Sequence, residues 1–167
     1  MSFPFNADEI LEMAEQIERN GARFYRRAVK GAVDPRNHRL LLDLAAKEEE
    51  HEKVFASMRV DLAREKSETA FFDPDGQAAL YLRAMADGHV FDVKADPTQL
   101  FTGKETVEDI LRVAMGMEKD SIVFYLGMKE LVPERLGKSR IDGIIKEEMG
   151  HLASLGNELA TLNQELC

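Results

Sequence analysis

Two copies of a Glu-x-x-His pair are the feature of this sequence with the clearest chemical meaning. Glu48 and His51 lie in the acidic segment KEEEHEKVF, and Glu148 and His151 lie in KEEMGHLASL. A single pair would be explained most simply as part of a solvent-exposed helix surface, where acidic runs are common. The second copy favours another explanation, because residues three apart share a helix face and a carboxylate with an imidazole can bind a metal ion.

A wider repeat surrounds both pairs at an offset of 100 residues, as in 18 to 118 and 48 to 148. In each half of the chain a glutamate is followed by a tyrosine seven residues later and, further on, by the Glu-x-x-His pair. The residues that open this pattern are Glu18 and Tyr25 in the first half and Glu118 and Tyr125 in the second. A repeat at a fixed offset indicates two similar structural units.

Four long segments with helical periodicity are predicted to position these residues. We predict helices at about 7–31, 35–66, 103–131 and 139–163. Asp34-Pro35 is a typical start for the second helix, Thr102 with Glu105 has capping-box spacing for the third, and Ser139 with Asp142 suggests a similar start for the fourth. The region at about 67–101 has breakers around one short helical pattern, QAALYLRAMA, and is predicted to be a crossover.

The predicted fold is therefore all-α: one domain over residues 1–167, a four-helix bundle of two helix hairpins joined by the long crossover. A hydrophobic content of 44% is enough for a sizeable core. Glu18 lies in the middle of an apolar stripe, in line with Leu11 and Tyr25. Since each motif glutamate lies the same number of residues from its predicted hairpin turn, we expect all four to meet at mid-height of the core.

Four buried carboxylates without partners would cost too much free energy for such a core to survive. No lysine or arginine occupies a matching interior position, whereas two divalent cations would balance four carboxylates and leave the imidazoles neutral. Carboxylate and imidazole ligands suit iron or manganese better than zinc, so two iron ions are the first expectation. The predicted metal ligands are Glu18, Glu48, His51, Glu118, Glu148 and His151.

Overall composition excludes several other functions. A net charge of −9 argues against a nucleic-acid partner and against binding to an anionic membrane surface. The single cysteine, Cys167, excludes an internal disulfide framework and a cysteine-ligated metal site within one chain. Neither a signal peptide nor a membrane-spanning segment is indicated, so we expect a cytoplasmic protein.

The segments IERNGARFY and MEKDSIVFY, each followed by a Glu-x-x-His pair, resemble those of the ferritin-like di-iron carboxylate proteins, and of rubrerythrins in particular. The resemblance implies that Glu48 and Glu148 bridge two metal ions, with Glu18 and Glu118 as terminal ligands and one histidine on each ion. Tyr25 and Tyr125 are then candidate catalytic residues that donate hydrogen bonds to carboxylates across the bundle. The alternative for these tyrosines is ordinary packing with a hydrogen-bonded hydroxyl.

By the same resemblance, the chain is expected to be a non-haem di-iron protein that reduces hydrogen peroxide or dioxygen. Rubrerythrins usually carry a rubredoxin-like domain and a further glutamate one turn beyond the third-helix ligand. The single cysteine of this chain cannot form a rubredoxin-like domain, and Ser121 occupies the position of the further glutamate. Electrons would therefore come from a separate donor, such as a rubredoxin or a reductase.

Two alternatives stay open at this point: a ferroxidase subunit that stores iron, and a bundle that uses metal only for sensing or stability. The resemblance and the aromatic residues at 71 and 72 also suggest a homodimer.

Overall fold

Four long helices and one short helix make up the described part of the chain, which a computed structural model defines over residues 7–65, 75–86 and 95–165. The helices are α1 (Ala7–Val29), α2 (Pro35–Arg64), α3 (Gln77–Ala86), α4 (Val107–Leu131) and α5 (Lys138–Glu165). No β-strand occurs among these residues, and the all-α prediction is confirmed. The short helix α3 coincides with the helical pattern predicted inside the crossover.

Each pair of long helices forms a hairpin with a short turn. Between α1 and α2 the predicted cap is present, since the Asp34 carboxylate accepts a hydrogen bond from the Arg36 amide at 2.8 Å and Pro35 opens the helix. Between α4 and α5 the chain turns at Gly137, whose φ of +102° lies in the left-handed region that favours glycine. These turns let the two members of each hairpin pack antiparallel.

The start of α4 differs from the sequence prediction by four residues. Its capping box is formed by Thr106 and Asp109, each side chain accepting a hydrogen bond from the other residue's amide, and not by Thr102 and Glu105. The Glu105 carboxylate instead accepts hydrogen bonds from the loop amides of Thr102 and Gly103. Because Gly103 has a φ of +84°, the helix cannot begin before it.

The start of α5 lies one residue before the predicted position. The helix begins at Lys138, directly after the left-handed Gly137, and ends at Glu165. The Asp142 carboxylate contacts Lys129 of α4 at 3.0 Å and therefore supports packing within the hairpin. The predicted ends of the other helices lie within two residues of the observed ones.

Two apolar clusters occupy opposite ends of the bundle. One joins the start of α1 to the end of α2, the end of α4 and the start of α5, and includes Phe55, Met58 and Ile141. The other joins the opposite ends of the same helices and includes Phe24 and Leu155. The motif glutamates and histidines lie between the two clusters along every long helix, so both neighbouring layers are apolar.

The crossover helix packs against the outside of α4. The Tyr81 hydroxyl donates a hydrogen bond to the Val123 carbonyl at 3.0 Å, and its ring lies where a Cβ at Gly127 would be. The neighbouring Leu82 is fully buried and joins the first apolar cluster. The crossover thereby contributes to the core of the bundle.

Several sequence predictions concern residues outside the described ranges. These are the aromatic pair at 71 and 72, on which the expectation of a homodimer partly rested, and Cys167. None of the helices in the described ranges combines the length and the low charge needed to cross a membrane.

The assignment of Thr106, and not Thr102, as the capping residue of α4 can be tested by substituting each of these two exposed threonines. Thr106→Ala should lower the free energy of unfolding by about 1 kcal/mol, because it removes the side chain that caps α4. Thr102→Ala should cost clearly less, because its hydroxyl bonds only within the preceding loop. Urea unfolding of the metal-free variants, followed by circular dichroism, measures both, and equal losses would contradict the assigned helix start.

Candidate metal centre

All six predicted metal ligands meet in the centre of the bundle. Glu18 comes from α1, Glu48 and His51 from α2, Glu118 from α4, and Glu148 and His151 from α5. All six are buried, with Glu18 and Glu148 at 0% exposure and Glu48 at 4%. The seven-residue spacing of each helix stripe thus brings the ionisable groups inward, as the periodicity predicts.

The six side chains form two overlapping groups, in each of which the candidate ligand atoms lie within 4.8 Å of one another. The first group contains Glu18, Glu48, His51 and Glu148, and the second contains Glu48, Glu118, Glu148 and His151. Glu48 and Glu148 belong to both groups. Two cations held by these groups would therefore share two carboxylates, which is the arrangement of a bridged bimetallic site.

Both histidines present their Nδ1 atoms to the carboxylates. Nδ1 of His51 lies 2.9 Å from Glu148 Oε1 and 3.4 Å from Glu18 Oε2. Nδ1 of His151 lies 2.9 Å from Glu148 Oε2 and 3.3 Å from Glu48 Oε1. The two rings are nearly parallel, with centroids 5.6 Å apart. One imidazole nitrogen is thereby available to each of the two groups.

Several of these buried atoms make no hydrogen bond of good geometry, although Nδ1 of His51 and Oε1 of Glu148 lie close together. They are Oε2 of Glu18, Oε1 of Glu48, Oε1 of Glu148 and Nδ1 of His51. A buried polar atom without a partner costs about 1–3 kcal/mol, and more when it is charged. Cations among these atoms would satisfy them, so the side chains present fit two divalent metal ions.

The tyrosines connect the two hairpins through the terminal carboxylates. The Tyr25 hydroxyl donates to Oε1 of Glu118, and the Tyr125 hydroxyl donates to Oε1 of Glu18. Burial and the neighbouring carboxylates raise the pKa of both phenols well above the ordinary value, so both remain O–H donors. Each tyrosine therefore fixes a carboxylate that belongs to the opposite hairpin.

Gly21 makes room for one of the shared carboxylates. A Cβ at this position would collide with Oε2 of Glu48, and its distances to Cδ and Cγ of the same side chain would be only 3.1 and 3.2 Å. Glycine is needed here because the Glu48 side chain lies so close to α1, and not because the backbone adopts an unusual conformation.

Burial dominates the electrostatics of three of the carboxyl groups. It raises the pKa of Glu48 and Glu118 well above the usual range. Burial together with the negative charge of Glu148 raises the pKa of Glu18 to about 7. Burial also acts on Glu148, but contacts with His151 and His51 outweigh it and hold the pKa of Glu148 below its ordinary value.

The pKa values of the two imidazole groups are also shifted, but burial acts on them in the opposite direction. Burial lowers the pKa of each ring, but the surrounding carboxylates outweigh it and raise the pKa of His51 to about 11 and that of His151 to about 12. These directions favour an ionised Glu148 between two imidazolium groups when no metal is bound, with protons on Glu48 and Glu118. The cluster then carries much less negative charge than four ionised carboxylates would.

Two acidic residues near the site have contacts that the sequence pattern does not indicate. Glu147 is 49% exposed, in keeping with its predicted surface position, yet its Oε2 lies 3.3 Å from Nε2 of His51. Glu15 is buried and contacts Arg59 of α2 at 3.2 Å. Each contact joins residues of two different helices, so it can be identified only once the packing of the helices is known.

Comparison with known proteins agrees with this geometry. A family model for rubrerythrin matches residues 9–159. A crystal structure from Thermotoga maritima, described as that of a "putative ferritin-like diiron-carboxylate protein", superposes with a TM-score of 0.66 at 23% identity, covering 96% of this chain and 98% of that one. No curated protein matches the sequence. The ferritin-like fold that the resemblance implies is confirmed, and the chain belongs to the rubrerythrin family.

Proposed function

We propose that the protein is a non-haem di-iron redox protein that reduces hydrogen peroxide or dioxygen with electrons from a separate donor. The observation that supports this most directly is the pair of buried ligand groups that share Glu48 and Glu148. Shared carboxylates would hold two metal ions side by side, and two ferrous ions together can supply the two electrons that reduction of hydrogen peroxide takes. Membership of the rubrerythrin family agrees with iron as the metal.

In this proposal both ions would be held by Glu48 and Glu148, which belong to both ligand groups. Glu18 and His51 would hold one ion in addition, and Glu118 and His151 would hold the other. Four carboxylates balance the charge of two divalent cations, and each imidazole then binds in its neutral form. A set of oxygen and nitrogen ligands without thiolates favours iron or manganese over a structural zinc site.

Reduction of hydrogen peroxide to two waters takes two electrons and two protons, and two ferrous ions would supply one electron each. The chain contributes a dry site, because apolar clusters lie on both sides of the ligands along the bundle. Tyr25 and Tyr125 keep the terminal carboxylates in place from the opposite hairpin. These 167 residues contain one cysteine and cannot themselves form a rubredoxin-type site, so in this proposal the electrons come from outside them.

The first test is the metal content of protein purified without added metal, followed by anaerobic mixing of the di-ferrous form with hydrogen peroxide. We expect about two irons per chain, rapid oxidation of both, and turnover when a reductant is supplied. Glu48→Ala should abolish stoichiometric iron binding. The matched control is Glu49→Ala on the same helix, whose parent carboxylate bonds to Arg26 at the surface and should not be needed for iron.

Other outcomes of the same experiment would contradict the proposal. Peroxide consumption no faster than with free iron would exclude the redox function. Deposition of many irons per chain in a very large particle would indicate storage. A protein that folds and binds metal but shows no turnover would instead be a sensor or a metal-stabilised bundle.

The charge balance of the site predicts that metal binding releases protons. At pH 7 both imidazoles carry a proton that a metal ion must displace, and the carboxyl groups with raised pKa values add to these. More than two protons per chain should be released. The combined association constant for two Mn²⁺ ions should therefore rise more than about a hundredfold per pH unit near neutrality.

Calorimetric titration with Mn²⁺ in buffers of different ionisation enthalpy measures the number of protons released. The redox-inert ion separates binding from oxidation. Release of less than one proton per chain would show that the buried histidines are neutral in the metal-free protein.

A further inference from the structure

Glu147 reaches from the surface of α5 to the buried His51 of α2. Its Oε2 lies within hydrogen-bond distance of Nε2 of His51, at 3.3 Å, although the His51 side chain is only 3% exposed. The same oxygen lies 3.7 Å from Nζ of Lys47. The Glu147 carboxylate is therefore held between an ammonium group and the outer nitrogen of a candidate metal ligand.

The two nitrogens of His51 face different surroundings. Nδ1 faces the buried carboxylates of Glu18 and Glu148, and Nε2 faces Glu147. A metal ion among the buried carboxylates would bind Nδ1, so the hydrogen of the neutral ring would be on Nε2 and would be donated to Glu147. A carboxylate that accepts this hydrogen orients the ring and makes the metal-binding nitrogen more basic. Glu147 would thus act on a metal ion through His51.

The contacts of His151 lack this outer carboxylate. In the 100-residue repeat the residue equivalent to Glu147 is Lys47, which has no acceptor atom and donates to Glu50 at 2.7 Å. The hydrogen bonds and ion pairs of His151 with the described residues all involve Nδ1, so its outer nitrogen has no acidic partner among them.

The inner contacts of the two rings are otherwise similar. Nδ1 of each ring lies 2.9 Å from an oxygen of Glu148. Each ligand group also has one terminal glutamate that accepts a hydrogen bond from a tyrosine of the other hairpin. The outer partner of the imidazole therefore distinguishes two groups that are alike in their donor atoms.

We propose that Glu147 is a positioning residue for His51 and directs the first of two divalent cations to the group that contains Glu18 and His51. The group that contains Glu118 and His151 would be filled second, and a half-loaded protein would hold its ion at His51. The inference rests on the two-metal site of the proposed function and adds an order of loading to it.

The diamagnetic ion Zn²⁺ tests the order directly in nitrogen-15 nuclear magnetic resonance spectra of the imidazole groups. The first equivalent should shift the signals of His51 and the second those of His151, with His51→Gln and His151→Gln used to assign them in the metal-free protein. The exchanged double variant Lys47→Glu, Glu147→Lys keeps the net charge and should reverse the order. Simultaneous shifts of both rings in the parent protein, or an unchanged order in the exchanged variant, would overturn the inference.

Mn²⁺ affinities provide a second measurement that needs only single surface substitutions. Glu147→Ala should weaken the first of two binding steps by about tenfold and the second by clearly less; tenfold is the lower end of the range for such hydrogen bonds, because Glu147 is half-exposed. Glu147→Gln keeps a neutral acceptor and should recover part of the loss. The matched control is Glu50→Ala, whose parent carboxylate is also exposed and bonds to the same Lys47, and both steps should stay within about twofold of the parent values.

Equal weakening of both steps by Glu147→Ala, or equal effects of Glu147→Ala and Glu50→Ala, would indicate a general effect of surface charge and overturn the role of Glu147. Neither measurement involves oxidation of iron. A protein that loads in the expected order but whose di-ferrous form does not react with peroxide or dioxygen would overturn the proposed function and leave this inference intact.

Discussion

Burial of four carboxylates in the middle of an apolar bundle is the constraint on which the rest of this structure depends. Charges without compensation could not remain there, because desolvation of each would cost several kcal/mol. The raised pKa values of Glu48 and Glu118 and of both imidazoles indicate that protons provide the compensation when no metal is bound. Two divalent cations would replace those protons.

The buried carboxylates also provide hydrogen bonds that hold the two hairpins together. Tyr25 of the first hairpin donates to Glu118 of the second, and Tyr125 of the second donates to Glu18 of the first. A typical hydrogen bond contributes about 0.5–1.5 kcal/mol, and more when its acceptor is ionised, so these two contacts stabilise the interface between hairpins as well as the ligands. Relative movement of the hairpins would displace both terminal carboxylates. The packing of the bundle and the geometry of the site thus depend on the same contacts.

The sequence was sufficient to predict the convergence of all six candidate ligands, because a repeat and a helical stripe are both properties of the linear order of residues. It did not locate the start of α4, since two threonines, Thr102 and Thr106, are each followed three residues later by an acidic residue. The left-handed conformation of Gly103 decides between them. The contact from Glu147 to His51 and the space beside Gly21 depend on distances between helices, which sequence periodicity does not contain.

Departures from the twofold repeat make the two halves of the site unequal. Nε2 of His51 can donate to Glu147, but the residue equivalent to Glu147 in the first half is Lys47, which has no acceptor for a proton from His151. A histidine whose outer nitrogen donates to a carboxylate is the more basic ligand. The two ligand groups therefore differ in the partner of the outer nitrogen of their imidazole, so ions held by the two groups would differ in ligand strength.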